Sequence, residues 1–173
     1  DIETDFEALL SGCPDGFAIM RLHLDPPAWW ERAHKDGCCL RNDGSTLRQC
    51  FASEVWLQAT EHALRNILRR LTASPYARRL AGVHLAAGQT EEWFYHYRGL
   101  YEDANPHRAA AFRAWLRQQY RDLPALRAAW HCPEADWDTA APADIGGAVA
   151  GGGWRDSARD VRVLDTFRFQ AET

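Results

Sequence analysis

The chain has 173 residues, of which 46% are hydrophobic, 25% charged and 12% aromatic, a composition that buries a real core and excludes a disordered or collagen-like chain. Twenty Lys plus Arg against 24 Asp plus Glu give a net charge of −4, and there is no basic run of the kind that tracks phosphates. Nucleic acid and anionic membrane are therefore excluded as expected partners, and no apolar stretch approaches the ~20 residues of a membrane span.

Residues 1–16 carry Phe6, Leu9 and Leu10 at helical spacing and close on Cys13-Pro14-Asp15-Gly16, which reads as a short helix and a tight turn. The run from Phe17 to Leu24 is nearly continuous in apolar residues and stops at Asp25-Pro26-Pro27, because proline cannot donate to a ladder. It is expected to be a strand buried on both faces. A short segment with Trp29 and Trp30 follows, then a polar loop through Asn42-Asp43-Gly44-Ser45.

From Ser53, a helix of about five turns is expected, with Trp56, Ala59, Ala63, Ile67 and Leu71 on its core side, ending at Ser74-Pro75-Tyr76. Residues 80–87 form a second buried-strand candidate running into Gly88, and the strand, helix, strand order implies a parallel βαβ unit. Asn105 caps a helix with Pro106 at its first position and Phe112, Trp115, Leu116 and Tyr120 facing a core. Asp122-Leu123-Pro124 opens a shorter helix bearing Leu126 and Trp130. Residues 131–155 read as a flexible loop rich in glycine and proline, and residues 158–169 as a last amphipathic segment within a single domain.

Five cysteines are an odd number in a chain that needs no staples, and none forms a C-x-x-C pair. The expectation is reduced thiols that fill space, a reducing compartment such as the cytoplasm, and no metal or other cofactor. A metal site built from His23, His84 and Asp25 matches no common ligand rhythm, although a metal-dependent hydrolase stays open as a rival reading.

In parallel α/β architectures, ligand-binding residues project from the C-terminal ends of strands. Alternation places Ile19, Arg21 and His23 on one face of the first strand, and Gly82, His84 and Ala86 on one face of the second. If the strands are parallel neighbours, Arg21, His23 and His84 converge near one mouth. For Arg21 a structural ion pair with a core carboxylate is the competing reading. Just beyond the second strand, Glu91-Glu92 stand beside Trp93, Phe94 and Tyr95. A carboxyl set against aromatic rings is what a general acid uses, and tryptophan faces suit the stacking of sugar rings. A solvated acidic turn is the simpler alternative.

Residues 17–130 resemble retaining glycosidases with a (β/α)8 barrel, and among them the glycoside hydrolase family 42 β-galactosidases. The pieces that carry the resemblance are Arg21-Leu22-His23-Leu24-Asp25-Pro26-Pro27 with Trp29-Trp30, Phe51-Ala52-Ser53-Glu54 with Trp56, Ser74-Pro75-Tyr76-Ala77, and Gly82-Val83-His84-Leu85-Ala86-Ala87-Gly88 leading to Glu92-Trp93-Phe94. Ala111-Phe112-Arg113-Ala114-Trp115-Leu116 and Leu126-Arg127-Ala128-Ala129-Trp130 complete it. The resemblance implies an α/β fold, a segment of a TIM barrel with parallel strands and crossover helices, whose strand at Gly82 is the fourth.

It also implies a carbohydrate substrate and Glu92 as the acid/base, with Arg21, His23, Asp25, Trp30, His84 and Trp93 lining the sugar site. The clan places Asn directly before the acid, whereas Glu91 stands there in this chain, so Glu91 is the alternative acid. A retaining mechanism needs a second carboxylate about 5 Å away, and a whole barrel takes about 250 residues. The chain opens on Asp1 rather than Met, so a segment is expected, with the nucleophile supplied by the remainder of the barrel or by a homo-oligomer partner. A non-catalytic carbohydrate-binding barrel remnant is the other reading.

Overall fold

The structure is a computed structural model and describes residues 2–41, 43–88, 91–93, 103–144 and 154–173. Of residues 131–155, expected to be a flexible loop, 145–153 lie outside the described residues, as do Phe94 and Tyr95, whereas Ala135 and Ala140 are buried in a hydrophobic core. The chain divides into two compact units, residues 1–25 with 57–94, and residues 26–56 with 95–173.

The first unit opens with helix α1 (Ile2–Gly12), followed by strand β1 (Ala18–His23). Helix α3 (Glu54–Ala73) gives this unit all but its first turn, and strand β4 (Leu80–Ala86) follows. β1 and β4 pair in parallel, with Arg21 opposite His84, Leu22 opposite Leu85 and His23 opposite Ala86. This is the expected βαβ unit. Phe6, Ala18 and Leu71 form its buried core, with Leu10, Met20, Ile67, Tyr76 and Leu80 packed around them. The Phe6 ring stacks on Tyr76, whose hydroxyl donates to Glu7 Oε1 at 2.7 Å.

Three expectations need correction here. β4, expected to be a buried strand, keeps only Ala86 fully inside, while Ala81, His84 and Leu85 are exposed. β1 is buried on one face only: Ala18 and Leu22 are inside, whereas Ile19, Arg21 and His23 are exposed, Ile19 at 71%. An apolar run has no period that reveals which face lacks a covering layer. The core stripe expected on α3 is likewise interrupted, since Trp56 and Leu71 are buried but Ala63 is exposed.

The second unit contains helix α2 (Ala28–Ala33), an antiparallel pair of β2 (Cys38–Leu40) and β3 (Thr46–Gln49), and helices α4 (Pro106–Gln119), α5 (Leu123–Trp130) and α6 (Val161–Glu172). The hairpin falls where a polar loop was expected, because strands of three and four residues are too short to show a period of two. Asn105 and Asp122 cap α4 and α5 by accepting from His107 N and Ala125 N. Phe112, Trp115, Leu116, Leu126 and Phe169 bury one core between these helices. Within it, Asp165, 1% exposed, accepts from the Tyr120 hydroxyl and from Trp130 Nε1. No helix among the described residues is long and apolar enough to cross a membrane.

Candidate functional site

Most of the residues singled out as site candidates gather at the strand ends of the first unit. Parallel pairing puts Arg21 and His84 in register on neighbouring strands, with His23 two residues further along the same strand. The ladder extends past β1 as Leu24 N donates to Ala86 O at 2.8 Å. Asp25 Oδ1 then accepts from Gly88 N at 2.8 Å, which fastens the end of one strand to the turn that leaves the other. Gly88 takes φ 77°, a region glycine enters without steric cost.

That turn aims the two adjacent glutamates differently. Glu91, at φ 66°, donates its amide to Gly88 O and sends its carboxylate over the β1 face. Arg21 Nη2 lies 2.6 Å from Glu91 Oε2, and His23 Nε2 lies 2.9 Å from Glu91 Oε1. Both carboxylate oxygens are thereby engaged, each by its own donor. Glu92 is exposed beside Trp93. Trp93, at φ 63°, closes the turn by donating its amide to Ala87 O at 2.8 Å and its Nε1 to Leu85 O at 3.2 Å, leaving the residue 44% exposed.

The structure thus brings Arg21, His23, His84, Asp25, Glu91, Glu92 and Trp93 to one end of one two-stranded sheet. Trp30 belongs to the second unit, where it is 6% exposed and its ring lies against His34. Arg21 is ion-paired, as its competing reading had it, but with a half-exposed carboxylate rather than one in the core. Alternation and parallel pairing made the Arg21, His23 and His84 face readable. The Glu91 clamp was not readable, because it depends on a left-handed backbone at a non-glycine residue, which has no sequence signature. Among the described residues, no group of three or more His, Cys, Asp or Glu side chains is arranged to hold a metal ion.

Comparison with known proteins gives the fold its context. No family model matches the chain. It is 29% identical over 115 residues to the β-galactosidase Bga of Halorubrum lacusprofundi, an alignment covering 61% of this chain and 15% of that protein. Among solved structures, Gan42B, a GH42 β-galactosidase, superposes with a TM-score of 0.63 at 22% identity, over 91% of this chain and 22% of that one. The chain folds like part of a GH42 β-galactosidase. The β-galactosidase of Bacillus circulans sp. alkalophilus superposes at a TM-score of 0.59 and 16% identity, over 99% of this chain and 26% of that one. The parallel β1 and β4 with their crossover helix are accordingly a segment of a TIM barrel, and the chain spans between 15% and 26% of the length of these relatives.

Proposed function

We propose that this chain carries the acid/base side of a retaining glycoside hydrolase that acts on a β-galactoside-like substrate. The observation that carries the reading is the position of Glu92, exposed at the end of the parallel strand pair and directly before Trp93. Glu91, one residue earlier, is held by Arg21 and His23. Glu92 is the proton donor in this reading, in keeping with the resemblance that puts the acid beside Trp93. The β-galactosidase names of the relatives support the substrate class.

In this mechanism the Glu92 carboxyl gives its proton to the glycosidic oxygen as the C1–O bond breaks, and a nucleophile outside this chain takes C1 to form a glycosyl-enzyme. Glu92, now a carboxylate, then accepts a proton from the water that releases the sugar. Arg21, His23, Asp25 and His84 surround the reacting sugar, and the half-exposed ring of Trp93 gives it a flat wall. Asp25 also fixes the turn through Gly88.

Hydrolysis of an aryl-glycoside panel by the intact protein and its Glu92→Ala variant tests this. The expected result is a loss of ~10²–10⁴-fold on poor leaving groups, a small loss on activated ones, and recovery of the latter by azide. An active intact protein that is indifferent to Glu92→Ala refutes the assignment and moves Glu91 into its place.

A further inference from the structure

Arg21 and His23 project from the same face of β1, two residues apart, and both are about half exposed. Between them they hold a carboxylate by its two separate oxygens, Nη2 to Oε2 at 2.6 Å and Nε2 to Oε1 at 2.9 Å. That is more than a neutral sugar hydroxyl calls for. A hydroxyl presents one oxygen, whereas two donors set one to each oxygen of a planar group match a carboxylate, and the guanidinium makes the contact charge-assisted. His84, in register with Arg21, adds a further ring at the same end.

The group filling this clamp comes from an unusual backbone. Glu91 and Trp93 both take positive φ, 66° and 63°, which non-glycine residues seldom adopt and which cluster where a segment is held against its own preference. Glu91 lies outside the buried core of Phe6, Ala18 and Leu71, so its carboxylate can yield to a competing one without disturbing that core.

We propose that Arg21 and His23 form the binding site for the carboxylate of an acidic sugar, and that Glu91 occupies it from within the chain when no ligand is bound. The substrate class is then a glycoside of a uronic acid, the galactose-derived one being the simplest that also agrees with the galactosidase likeness. This rests on the reading of the same strand ends as a sugar site and narrows it. Binding displaces Glu91, pairs the C6 carboxylate with Arg21 and His23, and leaves Glu92 next to the glycosidic oxygen.

The test is calorimetric titration of the full chain, and of Glu91→Ala and Arg21→Gln variants, with D-galacturonate and with D-galactose. Glu91→Ala is expected to bind galacturonate about tenfold more tightly than the parent chain, a shift of about 1.4 kcal/mol, with a clearly smaller gain for galactose. Arg21→Gln is expected to remove the preference for the acid, and rising salt to weaken galacturonate alone. Glu91→Gln, which keeps the side-chain shape, serves if the alanine variant does not fold. Galacturonate binding no tighter than galactose in the Glu91 variants overturns the clamp while leaving the hydrolase reading standing. Binding of neither sugar overturns both. A preference for galacturonate with hydrolysis untouched by Glu92→Ala upholds the clamp and removes the acid assignment.

Discussion

Cys38, Cys39 and Cys50 are almost fully buried, while Cys13 is exposed and Cys132 half-buried, and all five remain thiols. Burial, with Glu31 and Asp36 nearby, pushes the Cys38 thiol up to about 11. Burial first, and then the Asp103 carboxylate, pushes Cys39 and Cys50 up as well. The thiolate is the reactive species, so a chromogenic disulfide reagent at pH 8 should label Cys13 quickly, Cys132 more slowly, and the other three only after unfolding. Prompt release of five equivalents from the native protein would contradict this burial. A second residue-scale effect concerns Asp122, whose carboxyl is held below the usual range by the Ala125 amide and then by Arg121. A depressed native pKa contributes stability above the unfolded value and loses it as pH falls through the folded one. In urea titrations the gap between parent and Asp122→Ala should therefore be full near pH 6 and narrow below about pH 4. A gap that stays constant as pH falls would mean the cap does not depend on charge. Both capping aspartate and capping asparagine were legible, since Asp-x-Pro and Asn-Pro place an acceptor just ahead of a proline suited to the first helical turn. The buried positions of Cys38 and Cys39 were not, because adjacent residues on an alternating strand are inside together only when both faces of a short hairpin are covered.

The elements differ in what holds them. Helix α4 depends on Asn105, 2% exposed, whose Oδ1 accepts from His107 N and whose Nδ2 donates to Asp36 O and Cys38 O at 2.8 and 2.6 Å. One side chain thus starts a helix and satisfies two carbonyls next to the hairpin. Asn105→Ala should cost roughly 2–4 kcal/mol, the loss of a cap plus two stranded acceptors. A cost under about 0.5 kcal/mol in equilibrium unfolding would show that water replaces them. Helix α5 adds packing to its Asp122 cap, and Leu126→Ala, at 0% exposure inside the helical core, should cost about 2–5 kcal/mol. These helices could be read from the sequence because caps and a 3.6-residue period are local signals. The register of β1 against β4 followed from the βαβ order, but the exposure of Ile19 did not, because it depends on what lies across the sheet rather than on β1 itself.

At the scale of the molecule, the two-stranded sheet of the first unit presents an apolar side chain to solvent, Ile19 at 71%, with Phe17 at 68% just ahead of β1. Exposed apolar surface on a sheet with few strands favours association through edges and faces. The chain on its own should therefore show concentration-dependent association in sedimentation velocity, and Ile19→Lys should reduce it without changing the helical far-UV signal. A parent chain that stays monomeric up to high concentration would show that this surface is harmless. The likeness to between 15% and 26% of the length of three β-galactosidases gives the same surface a natural explanation as barrel interior.

Glu91 follows β4 in the chain and fills a clamp carried by the neighbouring β1, so on the proposal above its carboxylate is an internal competitor. A competitor built into the chain acts at an effective concentration on the order of millimolar, whatever the surroundings contain. Soluble carboxylates such as acetate, offering nothing but charge, should lose to the resident side chain. A molecule that adds ring contacts to its carboxylate should evict it, so the clamp would act as a threshold that admits whole ligands and turns away their fragments.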